Sequence, residues 1–339
     1  MAGANLSAMA IAVSDAGGLG SLPCAMLGVD AVRREVEAIR SAISKPFNLN
    51  FFCHRPVAVE PSVTDAWRHR LAPYYTELGL DPTATPAPGP SRAPFDEAMC
   101  ALVEECRPPI VSFHFGLPDS PLLARVKQTG AKVLSSATTV AEARWLEEQG
   151  CDAIIAQGLE AGGHRGLFLT DDLTAQVPLF ALLPLVVDAV KVPVIAAGGI
   201  MDGRGAAAAL ALGATGVQLG TAYLFCPEAT ISAAHRRALR DRTTHTVVTN
   251  VMTGRPARGL VTRLIREVGP ISPLAPPFPF ATGAVAPLRA AAEAQGIGDF
   301  SPLWAGQAFA LGRETGAREI TTILARETIA TFNALTALG

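Results

Sequence analysis

The sequence predicts a TIM-type (β/α)8 barrel carrying a smaller, mainly helical lobe. Three observations lead there. Short apolar runs alternate with amphipathic helical stretches through the middle of the chain. Two of the later runs end in glycine, one helix apart, a pattern suited to the C-terminal face of such a barrel. The 339 residues suffice for one barrel of ordinary size plus an added lobe.

Strands are expected over residues 18–22, 47–51, 110–114, 132–135, 153–157, 194–197 and 216–219. Their apolar runs are continuous rather than alternating, as in strands buried on both faces of a parallel sheet. Helical patterns fill 32–44, 140–149 and 205–213, and Thr138-Thr139 ahead of Glu142 offers a threonine cap with an acidic first turn. That gives seven strands, one short of a closed barrel. The chain opens with Met1-Ala2-Gly3-Ala4 where the end of a first strand is expected. Either that strand lies in an in-frame extension upstream of Met1, or residues 1–6 form a stub of it. A barrel opened at one strand leaves sheet edges unpaired.

Two stretches interrupt the alternation. Residues 78–96 contain a Pro- and Ala-rich run over 82–94, expected as a loop and a candidate lid. Residues 227–300 lose the strand–helix rhythm, and 267–287 are rich in Pro and Gly. The expected organisation is a barrel over 1–226, a lobe over 227–300, and a C-terminal part over 301–339 whose helix at 317–337 returns to the barrel.

Composition narrows the function. Apolar residues make up 49% and charged residues 17%, enough to fill a large core. Net charge is −2 with an isoelectric point near 6.3, which does not favour a nucleic-acid partner. The most apolar stretch, over 177–187, is interrupted by Pro178 and Pro184 and is too short to span a bilayer. The first twenty residues lack a basic leader and carry Asp15. The six cysteines form no C-x-x-C pair and sit beside no histidine at metal-ligand spacing. A cytoplasmic protein without a metal site or disulfide framework is expected.

The chemistry concentrates in two segments. In the first, the strand over 194–197 runs into Gly198-Gly199, then Asp202 and an alanine-rich helix, and the next strand ends in Gly220-Thr221. Glycines at two successive strand ends let backbone N–H groups approach an anion, and a helix N-terminus adds donors and a favourable dipole. This is a phosphate cradle by its chemistry, and FMN, IMP or a sugar phosphate would satisfy it equally.

In the second segment, the strand over 153–157 ends in Gln157 and leads into Gly158-Leu159-Glu160-Ala161-Gly162-Gly163-His164-Arg165-Gly166. A histidine among glycines at the catalytic face can accept a proton or hydrogen-bond a negative oxygen. Gln157 is placed to hydrogen-bond a flat heterocycle. His54 and His114 also follow expected strands and are candidates to line the pocket. His69, His235 and His245 read as surface or packing residues.

These residues carry a family resemblance. Residues 5–22, 45–52, 111–118, 136–143, 156–166, 196–205 and 212–225 resemble the bacterial nitronate monooxygenases, formerly called 2-nitropropane dioxygenases, and 253–259 and 304–307 extend the likeness. AQGLEAGGHRG, at 156–166, is the most specific piece. The resemblance implies an FMN-containing barrel with a helical substrate lobe. It implies oxidation of alkyl nitronates by O2 to a carbonyl compound and nitrite. It matches Asn50, Gln157, Gly162, Gly199, Gln218, Leu219, Gly220 and Thr221 to flavin contacts, with Gly198 in the same cradle, and His164 to the catalytic histidine. The apolar strand and Gln-Ala-Pro-Met segment that usually begin the family are here reduced to Met1-Ala2-Gly3.

The flavin-dependent enoyl reductases share an EAGGH-like segment, so reduction of an enoyl thioester or quinone by NAD(P)H is the alternative. Arg165 after His164 leans toward the monooxygenases. An IMP-dehydrogenase-like enzyme would need a cysteine in the loop at 158–166, which has none. A non-catalytic phosphate-binding barrel is the remaining reading.

Overall fold

The computed structural model describes residues 2–84 and 92–337. Ten strands occur in chain order: β1 (Gly20–Pro23), β2 (Phe47–Phe52), β3 (Ile110–His114), β4 (Lys132–Ala137), β5 (Ala153–Gln157), β6 (Gly163–His164), β7 (Val194–Ala197), β8 (Gly216–Gln218), β9 (Thr246–Thr249) and β10 (Ala257–Leu260). Seven of them form one curled parallel sheet in the order β1-β2-β3-β4-β5-β7-β8. All seven expected strands are present, offset by at most two residues at their ends. This is the parallel α/β order of a TIM-type barrel. Among the described residues β1 and β8 do not pair with each other, and residues 2–6 form a turn and coil rather than a strand.

Alternation within each strand explains the two faces. Leu22, Leu49, Phe51, Val111, Phe113, Val133, Ile154 and Ala196 are buried under the helices in one continuous core. Full burial of such a side chain contributes roughly 1.5–3 kcal/mol. The other face points inward. Leu134, Ile155 and Ala197 pack there as a small apolar layer. Toward β1 the interior turns polar: Asn48 Nδ2 donates to Ser21 Oγ and to Ser112 Oγ, each at 2.8 Å.

The helices are α1 (Ser7–Asp15), α2 (Val29–Ala42), α3 (Pro61–Glu77), α4 (Glu97–Cys106), α5 (Ser120–Gln128), α6 (Val140–Glu148), α7 (Leu179–Ala189), α8 (Gly203–Ala211), α9 (Thr221–Leu224), α10 (Ala233–Arg240), α11 (Arg263–Val268), α12 (Ala281–Ala294) and α13 (Ala317–Thr336). Thr139 caps α6 by accepting from Glu142 N–H, as its sequence suggests. α13 returns to the barrel and packs on α8 and α1.

Residues after β8 pack as a lobe with α10, α11 and α12, and they add a small antiparallel sheet, β6-β10-β9. In it Ala257 pairs with His164 and Arg258 with Gly163. α3, which precedes β3 in sequence, joins this lobe: Trp67, Leu71, Tyr74 and Tyr75 cluster with Val251, Leu264, Leu288 and Phe300. Trp67 Nε1 donates to Ala281 C=O at 3.2 Å and Tyr75 OH to Ala284 C=O at 2.7 Å. Of the 78–96 segment read as a candidate lid, 85–91 lie outside the described residues, and Phe95 N–H ties its far end to Phe52 C=O at 2.7 Å. Among the described residues no helix is long and apolar enough to cross a membrane.

Candidate active site

Strand register brings the two chemical segments together. Gln157 of β5 pairs with Ala197 of β7, and Ala197 with Gln218 of β8. The histidine loop, the Gly198-Gly199 pair and the Gly220-Thr221 pair therefore leave three adjacent strands at the same end of the sheet. On the far side, Asn50 of β2 lies in register with Ser112 and donates to its Oγ at 2.8 Å.

The glycines at these strand ends have unusual backbone angles. Gly198 and Gly199 have φ of +119° and +69°, left-handed values that few other residues adopt. A Cβ on Gly199 would meet nothing nearer than the Glu160 side chain at 3.5 Å, so the space in front of it is open. The amides of Gly199 and Gly220 have no protein acceptor among the described residues. The short helix α9 begins at Thr221, with Leu219 and Gly220 between it and the end of β8 at Gln218. This arrangement fits a phosphate at the end of the last two barrel strands.

One expected contribution is corrected. The N-terminus of α8 does not face a ligand with free donors. Asp202 Oδ1 accepts from Arg204 and Gly205 N–H, and Glu327 Oε2 accepts from Gly203 N–H at 3.2 Å. The first amides of α8 are satisfied within the protein, leaving the donors to the glycine turns and to α9. Gly162 also answers to packing: a Cβ there would lie 2.5 Å from Gly306 N.

Gln157 organises the histidine loop. Its Nε2 donates to His164 C=O at 3.0 Å and its Oε1 accepts from Gly166 N–H at 2.8 Å. Arg165 is fully buried beneath the loop. It donates to Gln157 C=O at 2.9 Å, to Gly158 C=O at 2.6 Å and to Gln176 Oε1. Burial lowers its guanidinium to about 10, still charged at neutral pH.

His164 is half-buried among Phe52, Phe115, Phe278 and Trp304, whose ring centroids lie 5.3–6.3 Å from its own. Its Nε2 lies 2.9 Å from Thr253 Oγ1. Burial, followed by the charges of His114, Arg92, Arg255 and His54, pushes this imidazole well below the ordinary histidine range. It is neutral at physiological pH. His114 borders it: Nδ1 lies 2.6 Å from Ser136 Oγ, Nε2 lies 3.2 Å from His164 C=O, and burial lowers it to about 3. His54 is buried against Phe278, lowered to about 4 by burial and Arg255, and its Nδ1 has no partner. His235, read as a surface or packing residue, is buried, and its Nε2 donates to Trp304 C=O at 3.1 Å.

Sequence reasoning did not single out the cations. Arg255 lies over the Phe115 ring, its guanidinium carbon 4.2 Å from the centroid, and donates to Leu167 C=O. Arg92 donates to Thr282 Oγ1 at 3.1 Å. Neither forms an ion pair among the described residues; Asp171 and Glu142 act on Arg255 only at longer range. Thr253 and Arg255 lie in the 253–259 segment that carried the family likeness, and nothing in their spacing marked them as neighbours of His164.

Comparison with known proteins decides the family. The model of a family described as nitronate monooxygenase matches residues 1–327. This chain belongs to the nitronate monooxygenase family. A nitronate monooxygenase of Paraburkholderia phytofirmans is 44% identical over 329 residues, covering 96% of this chain and 90% of the relative. A solved nitroalkane oxidase from Streptomyces ansochromogenes is 39% identical with a TM-score of 0.90, covering 99% of this chain and 95% of that one. FabK from Thermotoga maritima is 27% identical with a TM-score of 0.70, covering 100% and 94%. Within the nitronate monooxygenase family, then, this chain presents open glycine turns after β7 and β8 and a histidine held below the ordinary range after β5.

Proposed function

We propose that the protein oxidises alkyl nitronates with O2, using FMN, to a carbonyl compound and nitrite. The observation that carries this reading is the neutral His164 held among two guanidiniums that lack ion pairs, a setting that favours a bound anion. A nitronate is such an anion, with its charge mainly on two oxygens.

Gly198, Gly199, Gly220 and Thr221 would hold the phosphate, and Asn50, Gln157, Gln218 and Leu219 would border the ring system, with Gly162 seating the loop. Bound FMN supplies electron acceptance and the reaction with O2. The protein's own part is to attract the anion, to exclude water with Phe52, Phe115, Phe278 and Trp304, and to handle protons at His164. A neutral nitroalkane still carries its α-proton, and an unprotonated imidazole can remove it. In this scheme the 1–226 barrel holds the flavin, the 227–300 lobe with α3 covers the substrate, and 301–339 braces the barrel. The six cysteines are all unpaired, which suits a reducing cytoplasm.

The reductase alternative rests on the weaker likeness, to FabK at 27% identity against 39% for the nitroalkane oxidase. Anaerobic mixing of FMN-loaded protein separates the two. Loss of visible flavin absorbance with a nitronate, but not with NADH, is expected. Rapid bleaching by NADH alone would replace this reading with the reductase.

A further inference from the structure

We infer that Thr253 is a positioning residue that fixes the tautomer of His164, placing the proton on Nε2 and leaving Nδ1 as the proton acceptor that faces substrate. The inference rests on the proposed nitronate chemistry for its meaning, though not for its test.

Thr253 is buried, and its hydroxyl has a single hydrogen. Two partners compete for it: His164 Nε2 at 2.9 Å and Arg255 C=O at 3.4 Å. The carbonyl can only accept, and among the described residues it has no other donor. If the hydroxyl points to Nε2, the carbonyl is left without a partner. If it points to the carbonyl, the threonine oxygen is free to accept from Nε2–H, and both contacts are satisfied. A directed chain results: Nε2–H to Thr253 Oγ1, then Thr253 O–H to Arg255 C=O, each bond polarising the next. A neutral imidazole carries one N–H, so Nδ1 is then unprotonated. Nδ1 has no protein partner among the described residues and is not fully buried.

The lobe thereby sets the chemistry of a barrel residue. Thr253 precedes β10, whose Ala257 pairs with His164, so the same segment that holds the loop's backbone orients its ring. In a neutral nitroalkane the α-carbon loses its proton to Nδ1, and the C–H electron pair moves into the nitro group to give the nitronate. The imidazolium formed is stabilised through Nε2–H on Thr253.

The test reads the tautomer directly. Protein labelled with 15N-histidine is examined by long-range 1H–15N correlation at neutral pH, with His164 assigned by its loss in His164→Asn. The Nε2–H pattern is expected in the wild type and in Thr253→Ser, and a changed or averaged pattern in Thr253→Val. A wild-type Nδ1–H pattern, or a Thr253→Val spectrum identical to wild type, would overturn the inference. Kinetics supply the second reading. Thr253→Val should lose at least about tenfold more kcat/KM on a neutral nitroalkane than on its preformed nitronate, with Thr253→Ser restoring the ratio. Equal losses on both substrates would mark Thr253 as merely structural. If the wild type consumes neither substrate, the functional reading fails, and the spectrum still decides the tautomer.

Discussion

Gln157 and His164 are joined side chain to backbone: Gln157 Nε2 donates to His164 C=O at 3.0 Å while its Oε1 accepts from Gly166 N–H at 2.8 Å. One amide at the end of β5 thus clamps both sides of Arg165. Gln157→Ala removes both bonds; His164 C=O keeps His114 Nε2 at 3.2 Å, but buried Gly166 N–H loses its acceptor, a loss of about 1–3 kcal/mol. Urea unfolding should show that loss, and turnover should fall with it. A variant as stable and as active as wild type would show that the loop holds itself.

Arg165→Met should be more damaging. The wild-type guanidinium is fully buried and its donors meet two carbonyls and Gln176 Oε1. Removing it leaves Gln157 C=O and Gln176 Oε1 without this donor, while Gly158 C=O keeps Ala161 N–H at 3.1 Å, with an expected loss of roughly 3–5 kcal/mol. Arg165→Lys should recover little, because a single ammonium cannot span the three acceptors. Thermal unfolding of the two variants checks this, and a lysine variant close to wild type would contradict it.

Gly199→Val tests the cradle. The position is at φ +69°, and its forward space is open to within 3.5 Å of Glu160. The variant should fold with a modest penalty, of order 1–3 kcal/mol for the strained backbone, while FMN binding weakens sharply. Flavin content after reconstitution is the measurement, and FMN rather than FAD should be released on heating. Unchanged flavin content would remove Gly199 from the site.

Much of this was legible in the sequence, and the reasons differ by element. The seven barrel strands are short, continuous apolar runs between turn signals, so local pattern suffices. The helix α1 escaped because SAMAIAVSD has no polar face to mark a period: it is covered by α2, β1 and α13. α7 was hidden by Pro178 and Pro184, yet Pro178 stands at the helix N-cap and Pro184 lies within the helix without ending it. His164 and the glycines could be read because strand ends are local. Arg92, Arg255 and Thr253 reach the site from distant segments, and only tertiary packing brings them there. The satisfied N-terminus of α8 depended likewise on Glu327 from α13, 124 residues away.

Acid pH should destabilise the fold through histidine. His54, His114, His164 and His235 are all held below the ordinary range, His54 and His235 at about 4 and His114 at about 3. In the unfolded chain each titrates near 6.5. Below about pH 6.5 the unfolded state therefore binds protons that the folded state does not, so stability falls as pH drops from about 6.5 toward 4. Each proton contributes a slope of about 1.4 kcal/mol per pH unit. Urea unfolding between pH 7.5 and 5 measures it, and a flat profile would contradict the buried neutral histidines.

His164→Asn separates proton removal from the rest of the reaction. Asparagine has no basic nitrogen, so turnover of a neutral nitroalkane should fall roughly 10²–10⁴-fold. A preformed nitronate has already lost its α-proton and should suffer much less. Equal losses on the two substrates would deny His164 the role of base.

The most direct test of the central claim is steady-state O2 consumption by FMN-loaded wild-type protein given a preformed alkyl nitronate, with nitrite measured in the same sample. The account predicts O2 uptake that depends on the nitronate and nitrite release that keeps step with it. No O2 uptake and no nitrite from fully flavin-loaded protein would contradict it.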